Sequence, residues 1–251
     1  MSGRAGVSPP WLLIGNSRWH WAQRHTDGSL VFWDSQPPAT LAAPLRPRSW
    51  AAVGAVPPDL PLPAAVRLTL AAVPLAAAPP WLGVDRALAA WGAWQRWRCP
   101  LLVVDAGTAL SFTRVDSQGG FAGGRLQAGV ALQWRALATG TAALAAPAAT
   151  LASTAWSGLP PVWPAATDEA LASGVLRGCA AAVAAAWRDG RQQEPRLQLV
   201  LTGGDGSRLV PLLAAEQALV PELRHAAPVR LSPHLVMEAL VALRPDAADG
   251  P

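Results

Sequence analysis

Lysine and tyrosine are absent from this 251-residue sequence, and Ile14 and Asn16 are its only isoleucine and asparagine. Without lysine there is no P-loop lysine, no Schiff base and no lysine general base. Cysteine is nearly absent too. Cys99 and Cys179 stand far apart with no CxxC, so neither a zinc site nor a disulfide framework is indicated, and two buried free thiols in a reducing cytoplasm are expected. The four histidines, His20, His25, His225 and His234, lack metal-ligand spacing and read as surface or packing residues, and no GxSxG occurs. Charge is sparse, 14% against 51% hydrophobic residues, which is the composition of a globular chain. The cations are all arginines, net charge +4, and they are scattered singly. A nucleic-acid partner calls for a clustered basic stripe, so none is expected. No long apolar run reads as a membrane span. The stretch from Leu68 to Val84 is broken by Pro74, Pro79 and Pro80, and the N-terminus lacks the apolar core of a secretory signal. No membrane and a cytoplasmic location are therefore the expectation.

Alanine, arginine, proline and tryptophan (13 residues) are abundant. With the absences, this reads as mutational pressure toward GC-rich codons, against which a retained residue such as Asn16 gains weight. The chain is organised around Leu101–Thr113, LLVVDAGTALSFT. Leu101–Val104 has the apolar continuity of a strand buried on both faces. It ends on Asp105, turns through Ala106-Gly107-Thr108 and returns as Ser111-Phe112-Thr113. A carboxylate at a strand end beside a glycine suits a phosphate-and-cation site, and it equally suits an Asp that opens a hairpin.

The same plan appears earlier. Trp11–Ile14 is a short apolar run, Gly15-Asn16-Ser17 a turn, Arg18–Ala22 a return strand, Thr26–Ser29 a hairpin signal and Leu30–Trp33 a third strand. In the later copy the Asp116–Gly120 turn leads to Phe121-Ala122-Gly123. Gly15 and Gly107 fall at the same point, each followed by a hydroxyl residue, and such a duplication suggests two similar domains facing one nucleotide in a cleft. Between and after the copies, Trp50–Val56 reads as a strand. Gly83-Val84-Asp85-Arg86 precedes a helix that buries Leu88 and Trp91, with Asp85 either an N-cap or a base. A second helix carries Leu132, Arg135, Ala136 and Leu137, and residues 141–166 read as loop. Thr167 is the N-cap candidate of a helix that runs through Cys179 toward Trp187. Leu197–Leu201 is a strand closing on Thr202–Gly206, a turn that offers backbone N–H groups to a ligand. A last helix spans roughly Pro233 to Leu243.

Taken in order, IGNSRWHWA, LGVDRALAAWGA, VVDAGTALSFT, GGRLQAGVAL, ATDEALASG and VLTGGDG resemble the motifs of type III pantothenate kinases, from Leu12 to Leu243. The form IGNSRxHW is similar to the cyanobacterial branch. The resemblance implies an α/β fold of two ribonuclease-H-like domains, duplicated βββαβ-type units around a nucleotide cleft, in the superfamily of actin, sugar kinases and heat-shock ATPases. The expected limits are 11–98 and 99–245, with 1–10 and 246–251 as disordered tails. It implies phosphorylation of pantothenate by ATP at the first step of coenzyme A synthesis, a homodimer, Mg²⁺ carried by ATP, and a monovalent cation, K⁺ or NH₄⁺.

By the same resemblance Asp85 is the general base, and Gly83, Val84, Asp85, Arg86 and Thr167 hold pantothenate. Leu13, Ile14, Gly15, Asn16, Ser17, Arg18, Trp19 and His20 contact ATP together with Thr108, and Asp105 ligates the monovalent cation. A bidentate Arg86 fits the pantothenate carboxylate in a way lysine does not. Two departures stand out. Leu13 occupies the place of the family's usual Asp, and an apolar side chain cannot orient a hydrated metal. No Tyr precedes GVDR, where the family usually has a substrate-contacting one; Trp81 is the nearest aromatic residue. These departures motivate two other readings, a nucleotide-binding regulatory homologue with reduced turnover and a kinase of another small acid-bearing alcohol.

Overall fold

Trp11–Ile14 forms strand β1, and all four of its residues are buried. Such a run needs cover on both faces, and the surrounding elements supply it. The structure, a computed structural model, describes residues 8–37, 46–142, 144 and 159–244. The chain divides into two compact units: Met1–Gly92 with His234–Pro251, and Ala93–Pro233.

In the first unit β2 (Trp19–Arg24) lies antiparallel to β1, β3 (Leu30–Ser35) antiparallel to β2, and β4 (Ser49–Ala52) parallel to β1, giving the order β3-β2-β1-β4. Successive side chains of a strand point to opposite faces. Leu12 and Ile14 accordingly join Trp19, Trp21, Trp50 and Leu60 in one buried cluster. On β2 and β3 the indoles of Trp21 and Trp33 stack at 6.0 Å. A helix from the C-terminal end of the chain, Leu235–Leu243, packs on β1 and β2, and Trp11 Nε1 donates to Arg244 O at 2.9 Å. Residues 234–244, read from sequence with the second half, thus sit with the first sheet.

The second unit repeats the plan. Strands β5 (Leu101–Ala106), β6 (Ala109–Val115), β7 (Phe121–Ala128), β8 (Gln198–Thr202) and β9 (Arg230–Leu231) take the order β7-β6-β5-β8-β9. Here β5 pairs antiparallel with β6 and parallel with β8, as β1 does with β2 and β4. In chain order the helices of the protein are α1 (Val84–Trp97), within which the unit boundary falls, α2 (Val130–Gly140), α3 (Thr167–Gln193), α4 (Gly206–Leu219) and α5, the C-terminal helix already placed. The second core gathers Leu102, Val104, Phe112, Trp134, Leu199 and Leu201 with the inner faces of α3 and α4.

The structure refines several sequence expectations. Helix α2 buries Val130 and Trp134, while Leu132 and Leu137 are 38% and 37% exposed. The helix is where the pattern of Leu132, Arg135, Ala136 and Leu137 placed one, and its large indole decides which side turns inward. Strand β4 ends at Ala52 rather than Val56, because Val53 and Gly54 leave the ladder and turn their N–H groups to Ile14 O at 3.0 and 3.3 Å. Helix α3, 27 residues long, is long and apolar enough to cross a membrane by length and composition. Its apolarity is that of a core helix, with Ala172, Val175, Leu176, Cys179, Ala180, Val183, Ala184 and Trp187 buried at helical spacing. Both cysteines are free, Cys179 buried and Cys99 half-buried rather than buried. Residues 1–7, 38–45, 143, 145–158 and 245–251 lie outside the described residues, and with them most of the expected 141–166 loop, the expected C-terminal tail and the first seven residues of the expected N-terminal one; the rest of that N-terminal tail is bonded, with Ser8 Oγ donating to Arg24 O at 2.7 Å and Pro10 O accepting from Arg48 N–H at 2.8 Å.

Candidate active site

In the first unit the functional candidates meet at the C-terminal ends of β1 and β4, the end of a parallel pair where α/β sheets bind ligands. The turn after β1 closes with Gly15 N–H donating to Arg18 O at 3.0 Å and leaves Asn16, Ser17 and Arg18 exposed. The turn after β4 lies against it: a Cβ on Gly54 would stand 2.6 Å from Gly15 O, so only glycine fits. Beside this turn α1 begins. Ala87 N–H donates to Gly83 O at 3.0 Å, so Gly83 occupies the cap position and Asp85 lies inside the first turn. The N-cap reading of Asp85 is thereby corrected: its Oδ1 accepts from the adjacent Arg86 N–H at 2.7 Å, from inside the first turn. The same Oδ1 stands 2.5 Å from where a Cβ on Gly83 would be, with Val53 also in reach at 3.7 Å. Asp85 is thus folded back over Gly83 toward the turn that follows β4.

Burial raises the Asp85 carboxyl above its ordinary value, and the Arg86 N–H and guanidinium and His20 draw it only partly back. Arg86 is itself buried, and burial lowers its guanidinium while Asp85 opposes that. A carboxylate with a raised pKa and one oxygen engaged by an amide has the chemistry of a general base. His20, on β2, presents Nδ1 to Asp34 Oδ1 at 2.7 Å. Leu13 is only 4% exposed and belongs to the packed strand. Trp81 is exposed.

In the second unit the equivalent strand end is built around Asp105. It pairs with Ser111 on β6 and Thr202 on β8, again at the C-terminal end of a parallel pair. The turn after β8 hooks onto it, Asp205 N–H donating to Ala106 O at 3.0 Å. Gly203 takes φ +83, and a Cβ there would collide with Asp105 Oδ1 and the Ala106 backbone. Asp105 therefore ends a strand inside a loop cradle that requires glycine, more than a simple hairpin demands. The expected supply of amides from Thr202–Gly206 is smaller than the sequence suggests: Asp205 donates as above and Gly206 N–H goes to Gly203 O at 3.1 Å. Thr108 is half-buried in the β5–β6 turn, its carbonyl accepting from Gly129 N–H at 3.0 Å. Asp105 and Thr108 are thus brought onto one turn.

Thr167 is not a cap. Ala166 occupies that position without a side-chain hydrogen bond, and Thr167 is the exposed first residue of α3. The helix start is held instead by Ser173 Oγ, donating to Pro161 O at 2.5 Å. Among the described residues no group of three or more His, Cys, Asp or Glu is placed to hold a metal. The donor at Asp105 is a single hard carboxylate in a cradle that a Cβ at Gly203 would fill, which fits an oxygen-liganded cation rather than a soft transition metal. Sequence reading placed Gly203 in a turn offered to a ligand, and missed the roles of Gly54 and Asp34. The glycines carried a signal in following strand-like runs directly; Asp34 carried none.

Comparison with known proteins agrees with this architecture. A sequence model of the type III pantothenate kinase family matches residues 66–189. The type III pantothenate kinase of Synechococcus elongatus is 35% identical over 247 residues, covering 91% of this chain and 93% of that protein. That of Thermosynechococcus vestitus is 40% identical over 199 residues, 77% and 76% of the two chains. Among solved structures, a ROK family glucokinase from Streptomyces griseus in complex with glucose and AMPPNP aligns with TM-score 0.54 at 12% identity, over 98% of this chain and 100% of that one. A putative 2-dehydro-3-deoxygalactonokinase from Sinorhizobium meliloti aligns with TM-score 0.53 at 15% identity, over 97% and 98%. These two likenesses concern the fold alone, which this chain shares with the two sugar kinases. With relatives this similar over nearly its whole length, the chain belongs to the type III pantothenate kinase family.

Proposed function

We propose that the protein transfers the γ-phosphoryl group of ATP to the hydroxyl of pantothenate, giving 4'-phosphopantothenate and ADP at the first step of coenzyme A synthesis. The observation that carries this reading is Asp85, a half-buried carboxylate with a raised pKa, held at the start of α1 within the GVDR motif. Asp85 Oδ1 accepts from Arg86 N–H, and Oδ2 is the oxygen that receives the hydroxyl proton. The hydroxyl oxygen then bonds to the γ-phosphorus as the bond from that phosphorus to the β–γ bridging oxygen breaks, and ADP leaves with the electron pair. Such transfer needs orientation and charge neutralisation more than covalent help from the protein.

Arg86 pairs with the pantothenate carboxylate, and Gly83, Val84 and Thr167 complete the substrate contacts. The Leu13–His20 stretch and Thr108 contact ATP. Asp105 holds a monovalent cation, K⁺ or NH₄⁺, whose contribution is charge neutralisation at the phosphates, and Mg²⁺ enters with ATP. The active species is a homodimer. A regulatory homologue without turnover is motivated by Leu13, but Asp85 and Asp105 each keep a built environment that such a protein has no use for. The test is formation of ADP and phosphopantothenate from ATP and pantothenate by the purified protein. Absence of both products with K⁺ and with NH₄⁺ overturns the proposal.

A further inference from the structure

The second unit holds a cavity that phosphoryl transfer does not use. It lies at the N-terminal ends of β5 and β8, where Gln198 N–H donates to Pro100 O at 3.0 Å, and its volume is about 610 Å³. Asp105 and Thr202 pair at the opposite end, about 13 Å from Leu101 along β5. The size is that of a small-molecule site rather than of a single ion. Arg98, Arg191 and Arg196 line the cavity, and no carboxylate is among its lining residues. Arg98 is held from within its own segment. Its φ of +48 folds the side chain back, so that Nε donates to Gln95 O at 3.2 Å and the guanidinium lies 4.1 Å over the Trp94 ring. Arg191, in the last turn of α3, complements the helix dipole and donates from Nη1 to Leu197 O at 3.3 Å. Its buried Nε has no partner among the described residues, and neither has the buried Oε1 of Gln198. Both side chains belong to the cavity wall. A buried donor and a buried acceptor left unmet are costly, and a ligand that meets both recovers the cost. Two carboxylates of the adjoining turns are engaged elsewhere. Asp116 Oδ1 accepts from Gln118 N–H and Gly120 N–H at 2.8 Å each, and Glu194 Oε1 stands 3.7 Å from Arg196 Nε. Arg98 and Arg191 therefore give the cavity an excess of positive charge.

We infer that this cavity binds a hydroxylated phosphate monoester of sugar-phosphate size, with Arg98 and Arg191 facing the phosphate and Gln198 Oε1 accepting from a hydroxyl. Guanidinium groups match phosphate oxygens in geometry and charge, and Arg191 Nε is a donor that such an oxygen satisfies. A phosphate dianion answers two guanidinium groups, where a carboxylate answers one. A hydroxyl supplies the donor that Gln198 lacks. The site shares no residue with those assigned to pantothenate or ATP, so it stands or falls apart from the kinase reading.

Cys99 lines the same cavity and reports on it. In the full chain its alkylation by iodoacetate, an anion, and by iodoacetamide, which is neutral, is followed by peptide mass spectrometry. Both reagents need the thiolate, so the ratio of their rates cancels the degree of thiol ionisation. Relative to glutathione, the ratio at Cys99 is expected to favour iodoacetate about tenfold, and to lose most of that preference in Arg191→Gln. Arg196→Ala, at a side chain 79% exposed, is expected to lower it in part without disturbing the fold. A ratio equal to that of glutathione, or unchanged in both variants, overturns the inference. With AMPPNP saturating the nucleotide site, D-ribose 5-phosphate is expected to slow both reagents, inorganic phosphate to slow them less, and ribose to leave them unchanged. Equal protection by inorganic phosphate and D-ribose 5-phosphate overturns the ligand class. If Cys99 resists both reagents, titration calorimetry with D-ribose 5-phosphate in the presence of AMPPNP decides. One site weakened about tenfold or more by Arg191→Gln is expected, and heat no different from that of ribose overturns it.

Discussion

Asp85 combines two effects of opposite sign. Its place in the first turn of α1 favours a negative charge, yet burial outweighs that and raises the pKa. A raised acid is ionised in the folded protein at neutral pH only at a cost. That cost is absent below the carboxyl's ordinary pKa, grows as pH rises from there to the folded value, and is constant above it. Asp85→Asn removes it, so thermal unfolding at pH 7 is expected at a temperature equal to or above the parent's, with the difference closing in acid. The same substitution is expected to cut kcat by about 10²- to 10⁴-fold while ATP binding, measured by calorimetry, stays intact. Full activity in Asp85→Asn would leave the side chain a merely structural role. In the parent, kcat/KM for pantothenate is expected to fall as pH drops through an apparent pKa above the usual carboxylate range. Arg86→Lys keeps the charge and loses the planar fork, and KM for pantothenate is expected to rise about tenfold or more in steady-state assays.

Among the elements, the strand ends were readable and the helix faces less so. Leu101–Val104 and Trp11–Ile14 announced buried strands, and the glycines that follow them placed both hairpins. Helix α2 was legible as a helix but not in its orientation, because alanine carries little contrast between faces and the burial of Trp134 comes from packing that no local pattern displays. Thr167 was misread because a threonine before two acids looks like a cap, whereas the chain enters α3 one residue earlier. The amides of Asp205 and Gly206 looked available because their acceptors, Ala106 O and Gly203 O, emerge only when the strand-end loops are assembled. Since Thr167 caps nothing, Thr167→Ala is expected to change stability by less than about 0.5 kcal/mol in chemical denaturation, and to act on KM for pantothenate instead. Asp105→Asn is expected to lose most activation by K⁺ or NH₄⁺ when rates are followed against cation concentration. Unchanged activation would return Asp105 to a hairpin residue.

At the level of the whole molecule, the duplicated strand order is what the paired Gly turns pointed to. It appears as β3-β2-β1-β4 in one unit and β7-β6-β5-β8-β9 in the other. What could not be read was the return of Leu235–Leu243 to β1 and β2, because a short apolar helix at a chain end has no local mark of its partner. Analytical ultracentrifugation is expected to find twice the 26.1 kDa chain mass, and a monomer at assay concentration would contradict the dimer. The central claim, phosphoryl transfer from ATP to pantothenate, is met most directly by one measurement: mass-spectrometric detection of 4'-phosphopantothenate made by the purified protein with ATP, Mg²⁺ and K⁺ or NH₄⁺. The expected result is product formed in step with ADP and absent in Asp85→Asn. Pantothenate recovered unphosphorylated under both cation conditions, with the protein folded and binding ATP, would contradict it.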